Sequence, residues 1–205
     1  MLLRVKIVAA VLCSGSIVKD QPSRVTLHMA ASVDGFIARH DGSVDWLDTP
    51  DSFPEGEVLS QECLDEFLAS IDCYIMGSHT YEKALCFESQ NLGWPYGEKP
   101  TYVLTSRSLP KSRASVQFYC GDLGRFVNDH LRPAFRSIWV VGGANVCHSC
   151  LKLGLADEIR ISIVPTMIGC GIRFFKEIGN DLPLHLVEMK AHASGIVELR
   201  YETRK

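Results

Sequence analysis

The sequence lacks, first, any imbalance of charge: 21 Lys and Arg stand against 24 Asp and Glu, a net charge of −3 spread along the chain. Without a basic stripe nothing can neutralise a phosphate backbone, which excludes nucleic acid as a partner and leaves a small molecule as the expected one. No apolar run approaches the roughly 20 residues needed to cross a bilayer, so no membrane association is expected. No repeat or low-complexity linker divides the 205 residues, and an apolar content of 46% suffices for one core. The GxGxxG of the common dinucleotide-binding fold is missing too.

Cysteine is plentiful, with eight, but the patterns that would give it a purpose are absent. Most sit inside apolar runs, as Cys73 does, which is the usage of a small hydrophobe in a reducing compartment. Cys147 and Cys150 form a CxxC with no second ligand pair at similar spacing elsewhere, so no metal site is expected. The chain is therefore expected in the cytoplasm. Its start, MLLRVKIVAAVLCSGS, has the outline of a secretory signal, but the run from Ile7 to Cys13 is very short. Residues 1–24 are read as an N-terminal extension of unknown role, with export the minority reading.

What is present from Val25 onward is an alternation of apolar strands and helical faces. VTLHMAA (25–31), CYIMG (73–77), TYVLT (101–105), SVQFY (115–119) and SIWVV (137–141) read as strands. Leu64, Phe67, Leu68 and Ile71 share one face of a helix expected over 55–71, and Leu123, Phe126, Val127 and Leu131 share another that Pro133 should end. Ser78 should open one helix, and ANVCHSCLKLG (144–154) should form the next, closed by Gly154. In DEIRISIV (157–164) isoleucines alternate with polar residues, so one face is expected to be wet or lightly covered. LHLVEMK (184–190) and IVELRYE (196–202) flank a turn and should form a hairpin. The class is α/β: a central mixed, mostly parallel sheet of about eight strands, helices on both faces, and a C-terminal antiparallel hairpin.

Two strand-to-helix junctions, MGSHT (76–80) and VGGAN (141–145), place small residues where free backbone N–H groups and a helix dipole suit an anion. Gly142 and Gly143 remove side chains that would hold a phosphate away, although two ordinary tight turns would read the same. Taken in order, SVDGFIA (32–38), YIMGSHTYE (74–82), WPYGEKPTYVLTS (94–106), WVVGGANV (139–146) and DEIRISIVPTMIGCGIRFF (157–175) make the chain resemble the dihydrofolate reductase-like family, in particular the reductase domain of the bacterial riboflavin-pathway deaminase-reductase. The resemblance covers about residues 25–202, and one reductase domain is expected over 25–205.

The resemblance implies an NADPH site across the two junctions. Gly77, Ser78, His79 and Thr80 would touch its phosphates, Thr105, Ser106 and Arg107 its adenosine end, and Gly142, Gly143, Ala144, Asn145 and Val146 its pyrophosphate, with Ile37 closing over the nicotinamide. Where true dihydrofolate reductases commonly carry an arginine this chain has Ser78, so Arg107 is the group expected to meet a 2′-phosphate, unless it is a solvated loop charge. Asp34 is the candidate for holding or protonating the substrate, with shaping of an Asp-Gly turn as the other reading. Trp46 and Trp94 would wall a planar heterocycle, unless as loop aromatics they simply pack, and Gly169 and Gly171 would shape the end of the substrate pocket. The closest implied reaction is that of 5-amino-6-(5-phosphoribosylamino)uracil reductase, without a deaminase domain since no zinc signature precedes it. Dihydrofolate reduction, which would need Glu62, Asp65 or Glu66 to face the pocket, and a non-catalytic nucleotide-binding dimer are the rivals. A homodimer through the terminal strands is expected.

Overall fold

The computed structural model describes residues 22–58 and 60–204. Most of the N-terminal extension, residues 1–21, therefore lies outside the described residues. Eight strands form one sheet in the order β5-β4-β3-β6-β1-β7-β10-β9. They are β1 (Arg24–Ser32), β3 (Cys73–Gly77), β4 (Thr101–Leu104), β5 (Val116–Tyr119), β6 (Ser137–Gly142), β7 (Glu158–Val164), β9 (Leu184–Ala191) and β10 (Val197–Thr203). The pairs from β5 through β7 are parallel, while β10 runs antiparallel to both β7 and β9. A separate ribbon pairs β2 (Phe36–Ala38) with β8 (Ile172–Arg173).

The central strands are apolar on both sides because helices cover both. On one face Ile75, Ile138 and Val140 pack with Val127 and Leu131 of α3 and with Cys147, Cys150 and Leu151 of α4. On the other, Tyr74, Met76, Trp139 and Val141 pack with Phe67 of α1, with Ile71 just beyond its end and with Tyr81 of α2. Here α1 is Gln61–Ser70, α2 Ser78–Ser89 and α4 Ala144–Lys152; α3 begins as Leu123–Arg125, widens to a π-helix over Phe126–Leu131 and closes as Arg132–Ala134. Cys147 and Cys150 are fully buried free thiols, and burial pushes Cys150 up to about 12. Leu155 N–H donates to Cys150 O and Gly154 N–H to Leu151 O, a Schellman closure of α4.

Three expectations need correction. The helix expected from residue 55 begins at Gln61, because the segment before it is claimed by the terminal hairpin: Phe53 N–H donates to Ala193 O, and Glu57 exchanges bonds with Ala191 and Ala193. Pro133 lies inside the last turn of α3 rather than ending it, and the helix closes one residue later at Ala134. The polar side of β7 is not the wet one: Glu158 and Ser162 are buried and Arg160 half-buried, while of the isoleucines Ile159 is buried and Ile161 and Ile163 are half-buried. Glu158 tolerates this because Arg24, Arg160 and Arg200 bond it at 2.9, 2.6 and 2.8 Å. Burial alone would raise its carboxyl, but Arg160 and Arg200 outweigh burial and hold it at about 2.

Candidate active site

The two glycine junctions end neighbouring strands, β3 and β6, so they open side by side at the carboxyl edge of the sheet. A Cβ on Gly77 would stand 3.2 Å from Val146 and 3.8 Å from the Gly143 nitrogen, which brings the first turns of α2 and α4 against each other. Neither helix has a side-chain cap on its first turn, which suits the N–H groups there to a ligand, although that of Val146 is bonded to Gly143 O at 3.0 Å. Gly142 adopts φ +126°, a backbone conformation that requires glycine, and a Cβ there would also push aside the end of the Met29 side chain, 2.8 Å away. The Gly142–Gly143 peptide is cis.

These junctions form part of a cavity of about 960 Å³. Gly77, Ser78, His79 and Thr80 line it from one side, and Gly143, Ala144, Asn145 and Val146 from the other, joined by Ile37 from the β2–β8 ribbon. Nine of the expected cofactor residues thus meet around one space. Gly142, Thr105, Ser106 and Arg107 do not line it. Gly142 shapes the turn from behind, and the other three follow β4 at the same sheet edge, with Arg107 N–H bonded to Thr105 Oγ1 at 2.9 Å. The Arg107 guanidinium lies on Glu82, a cavity-lining residue of α2.

The residues expected around the substrate are placed differently. Asp34 does not line the cavity. Its carboxylate accepts from the Ser32 hydroxyl at 2.6 Å and from Ile168 N–H and Gly169 N–H at 3.2 and 2.7 Å, and these bonds, the Ser32 one foremost, lower its pKa. It pins the loop after β1 to the loop before β8, a positioning role that is closer to the turn reading than to proton transfer. Trp46 is buried in a satellite core with Ala30, Leu47, Val164 and Ile196, its indole N–H unpartnered, and of the residues of the Asp45–Leu47 turn it is Leu47 that also lines the cavity. Gly169 and Gly171 also lie outside the lining. A Cβ on Gly171, at φ +155°, would fall 2.2 Å from Ala38 O, so this glycine lets the ribbon close. Glu62, Asp65 and Glu66 are exposed, and among the described residues of α1 Leu68 is the one that lines the cavity. His28 is buried, bonded to Ser162 at 3.0 Å, and burial followed by Arg160 holds it neutral.

Sequence reasoning missed the remainder of the wall: Lys83 and Phe87 on α2, Tyr96, Trp139, the pair His40 and Asp41, and Lys176. Lys83 and Phe87 follow His79 at i+4 and i+8, so the helical period did carry a signal for them. Lys176 donates to Asn145 Oδ1 in the first turn of α4.

The fold defines an α/β protein of the dihydrofolate reductase-like class, with a cleft at the carboxyl edge of its sheet. A sequence profile of the RibD C-terminal domain matches residues 94–198, and the chain belongs to that family. It is 30% identical over 178 residues to YwjB, an uncharacterized protein of Bacillus subtilis (strain 168), covering 87% of this chain and 97% of that one. YyaP, another uncharacterized protein of that organism, is 27% identical over 188 residues, covering 87% and 94%. Among solved structures, a putative riboflavin biosynthesis protein from Shewanella sp. PV-4 superposes with a TM-score of 0.73 at 24% identity, covering 89% of this chain and 99% of that one. A pyrimidine reductase-like protein from Corynebacterium diphtheriae gives 0.61 at 15% identity, covering 98% and 99%. The family's domain is a reductase.

Proposed function

We propose that this chain is an NADPH-dependent reductase of a small heterocyclic or ribosyl-bearing molecule, and that 5-amino-6-(5-phosphoribosylamino)uracil is the first compound to assay. The observation that carries the reading is the abutment of two uncapped helix N-termini at the edge of one 960 Å³ cavity. Such a pair of positive ends fits a pyrophosphate, and the glycines keep side chains out of its way. Gly77 to Thr80 and Gly143 to Val146 would hold the phosphates, and Ile37 and Ile172 of the ribbon would exclude water from the reacting face. The bound dinucleotide supplies the hydride; the chain supplies position and a dry wall.

Exposure of Glu62, Asp65 and Glu66 removes the feature that dihydrofolate reduction would need. NADPH oxidation measured with the phosphoribosylaminopyrimidine and with dihydrofolate separates these readings. Tight NADPH binding with no oxidation by any acceptor would favour the non-catalytic rival.

The free, buried thiols of Cys147 and Cys150 support a cytoplasmic site; among the described residues no helix is long and apolar enough to cross a membrane. A homodimer is part of the proposal. The edge strand β9 exposes Leu184, Leu186 and Met189, an apolar row that a second copy would cover. Light scattering should return twice the chain mass.

A further inference from the structure

Beyond the glycine junctions, the cavity is walled by Trp139 of β6, Leu68 of α1, Phe87 of α2 and Tyr96 from the loop before β4. Trp139 and Tyr96 are the two cavity-facing members of an aromatic series. Tyr74 lies 5.7 Å from Trp139 and 5.0 Å from Tyr96, and Tyr96 lies 5.1 Å from Trp94. The rings meet at tilts of 53° to 80° and hold one another, so the wall is rigid, and its cavity-facing rings offer surface on which a planar ligand stacks at little conformational cost.

An anionic substituent has little to meet there. A phosphate ester is held by arginine forks, by lysines or by several backbone N–H groups. Among the described residues no arginine lines the cavity. Arg39, Arg107 and Arg113, from segments flanking it, are paired with Asp45, Glu82 and Glu88. Of the two lining lysines, Lys176 is bonded to Asn145 at the anion cradle. The other, Lys83, has its ammonium 5.9 Å from the Phe87 ring and shares the cavity wall with the Asp41 carboxylate.

We infer that the compound reduced is a planar, uncharged ring without a phosphate, heteroaromatic or quinoid, stacked among Trp139, Tyr96 and Phe87 with its polar edge toward Lys83 and Asp41. This rests on the reductase reading and narrows it: of the two substrate types proposed, it selects the heterocycle over the phosphoribosyl compound. In the reaction a C=N or C=O bond of the ring gains hydride at carbon from NADPH, which becomes NADP⁺, and a proton at the heteroatom from water.

The test is isothermal titration of the full chain saturated with NADP⁺, which permits binding without turnover. The probes are menadione, 5-amino-6-ribosylaminouracil and the 5′-phosphate of the latter. At least one of the two uncharged compounds should bind at least tenfold more tightly than the phosphate ester. Phe87→Ala should weaken it fivefold or more while NADP⁺ affinity stays within twofold. Equal or tighter binding of the phosphate ester, an unchanged affinity in Phe87→Ala, or binding of none of the three beside bound NADP⁺ overturns the inference. Failure of NADP⁺ itself to bind instead defeats the reductase reading on which it stands. If the ester is preferred and Lys83→Met abolishes that preference, Lys83 is a phosphate anchor and the ring assignment is wrong.

Discussion

Arg107 and Glu82 form a two-sided ion pair at the mouth of the cavity: Arg107 Nη1 donates to Glu82 Oε2 at 3.1 Å and Nη2 to Oε1, and Nη1 stands 3.5 Å from the Ser78 hydroxyl. The guanidinium expected to receive a 2′-phosphate is thus already held by a carboxylate, and a phosphate must compete for the same fork. Glu82→Gln should tighten NADPH binding several-fold and leave NADH nearly unchanged. Arg107→Gln should reduce discrimination between the two nucleotides about tenfold or more, an effect that weakens with added salt because the pair is exposed. Dissociation constants for both nucleotides check this.

Asp34 predicts a different kind of loss. Its carboxylate accepts from two backbone N–H groups and the Ser32 hydroxyl. In Asp34→Asn an amide NH₂ replaces one accepting oxygen and opposes a donor. Tm should fall by roughly 2–4 °C, the scale of one lost bond in a chain of this length. NADPH affinity should remain within a few-fold, and thermal melts with and without nucleotide separate the two effects. Complete loss of turnover at unchanged Tm would return Asp34 to a catalytic role.

The buried carboxylate of Glu158 makes stability depend on acid. Its folded pKa, about 2, lies below its ordinary value of 4.5, so its contribution is fully present above about 4.5 and is lost as pH falls toward 2. The depression corresponds to about 3 kcal/mol. Glu158→Gln should destabilise the fold by a similar amount near neutral pH, since three arginines lose their counter-charge, and should flatten the acid limb of urea unfolding measured from pH 6 to pH 3.

Much of the sheet was legible in the sequence because β3, β4 and β6 are short apolar runs bounded by breakers, and their helices keep a clear 3.6-residue face. The start of α1 was not, because Glu55 to Glu57 read as a plausible helical turn until the distant Ala191–Ala193 segment pairs with them. The burial of Glu158 was invisible for a similar reason: its partners Arg24 and Arg200 are 134 and 42 residues away, and only the pairing of β7 with β1 and β10 brings them in. The anion cradle could be read because a strand-to-helix junction is local. The ring wall could not, since Leu68, Phe87, Tyr96 and Trp139 come from four segments and each reads alone as core. At the Asp45–Leu47 turn the aromatic residue drew attention, while its neighbour Leu47 reached the cavity.

Gly171→Ala should disturb closure of the ribbon without touching the anion cradle. The added methyl meets Ala38 O at 2.2 Å in a backbone conformation that side chains rarely adopt. Ile37 and Ile172 would then be displaced from the cavity wall, so KM for the ring substrate should rise while NADPH affinity stays within a few-fold, read by the absorbance of NADPH as substrate is varied.

The most direct measurement is a titration of the full chain with NADPH against NADH, followed by quenching of tryptophan fluorescence, since Trp139 lines the cavity. One NADPH should bind per chain, more tightly than NADH, and Gly142→Ala should abolish binding while the protein remains folded by circular dichroism. No saturable binding of either nucleotide to the folded wild-type chain would contradict the assignment of the two glycine junctions as a dinucleotide site.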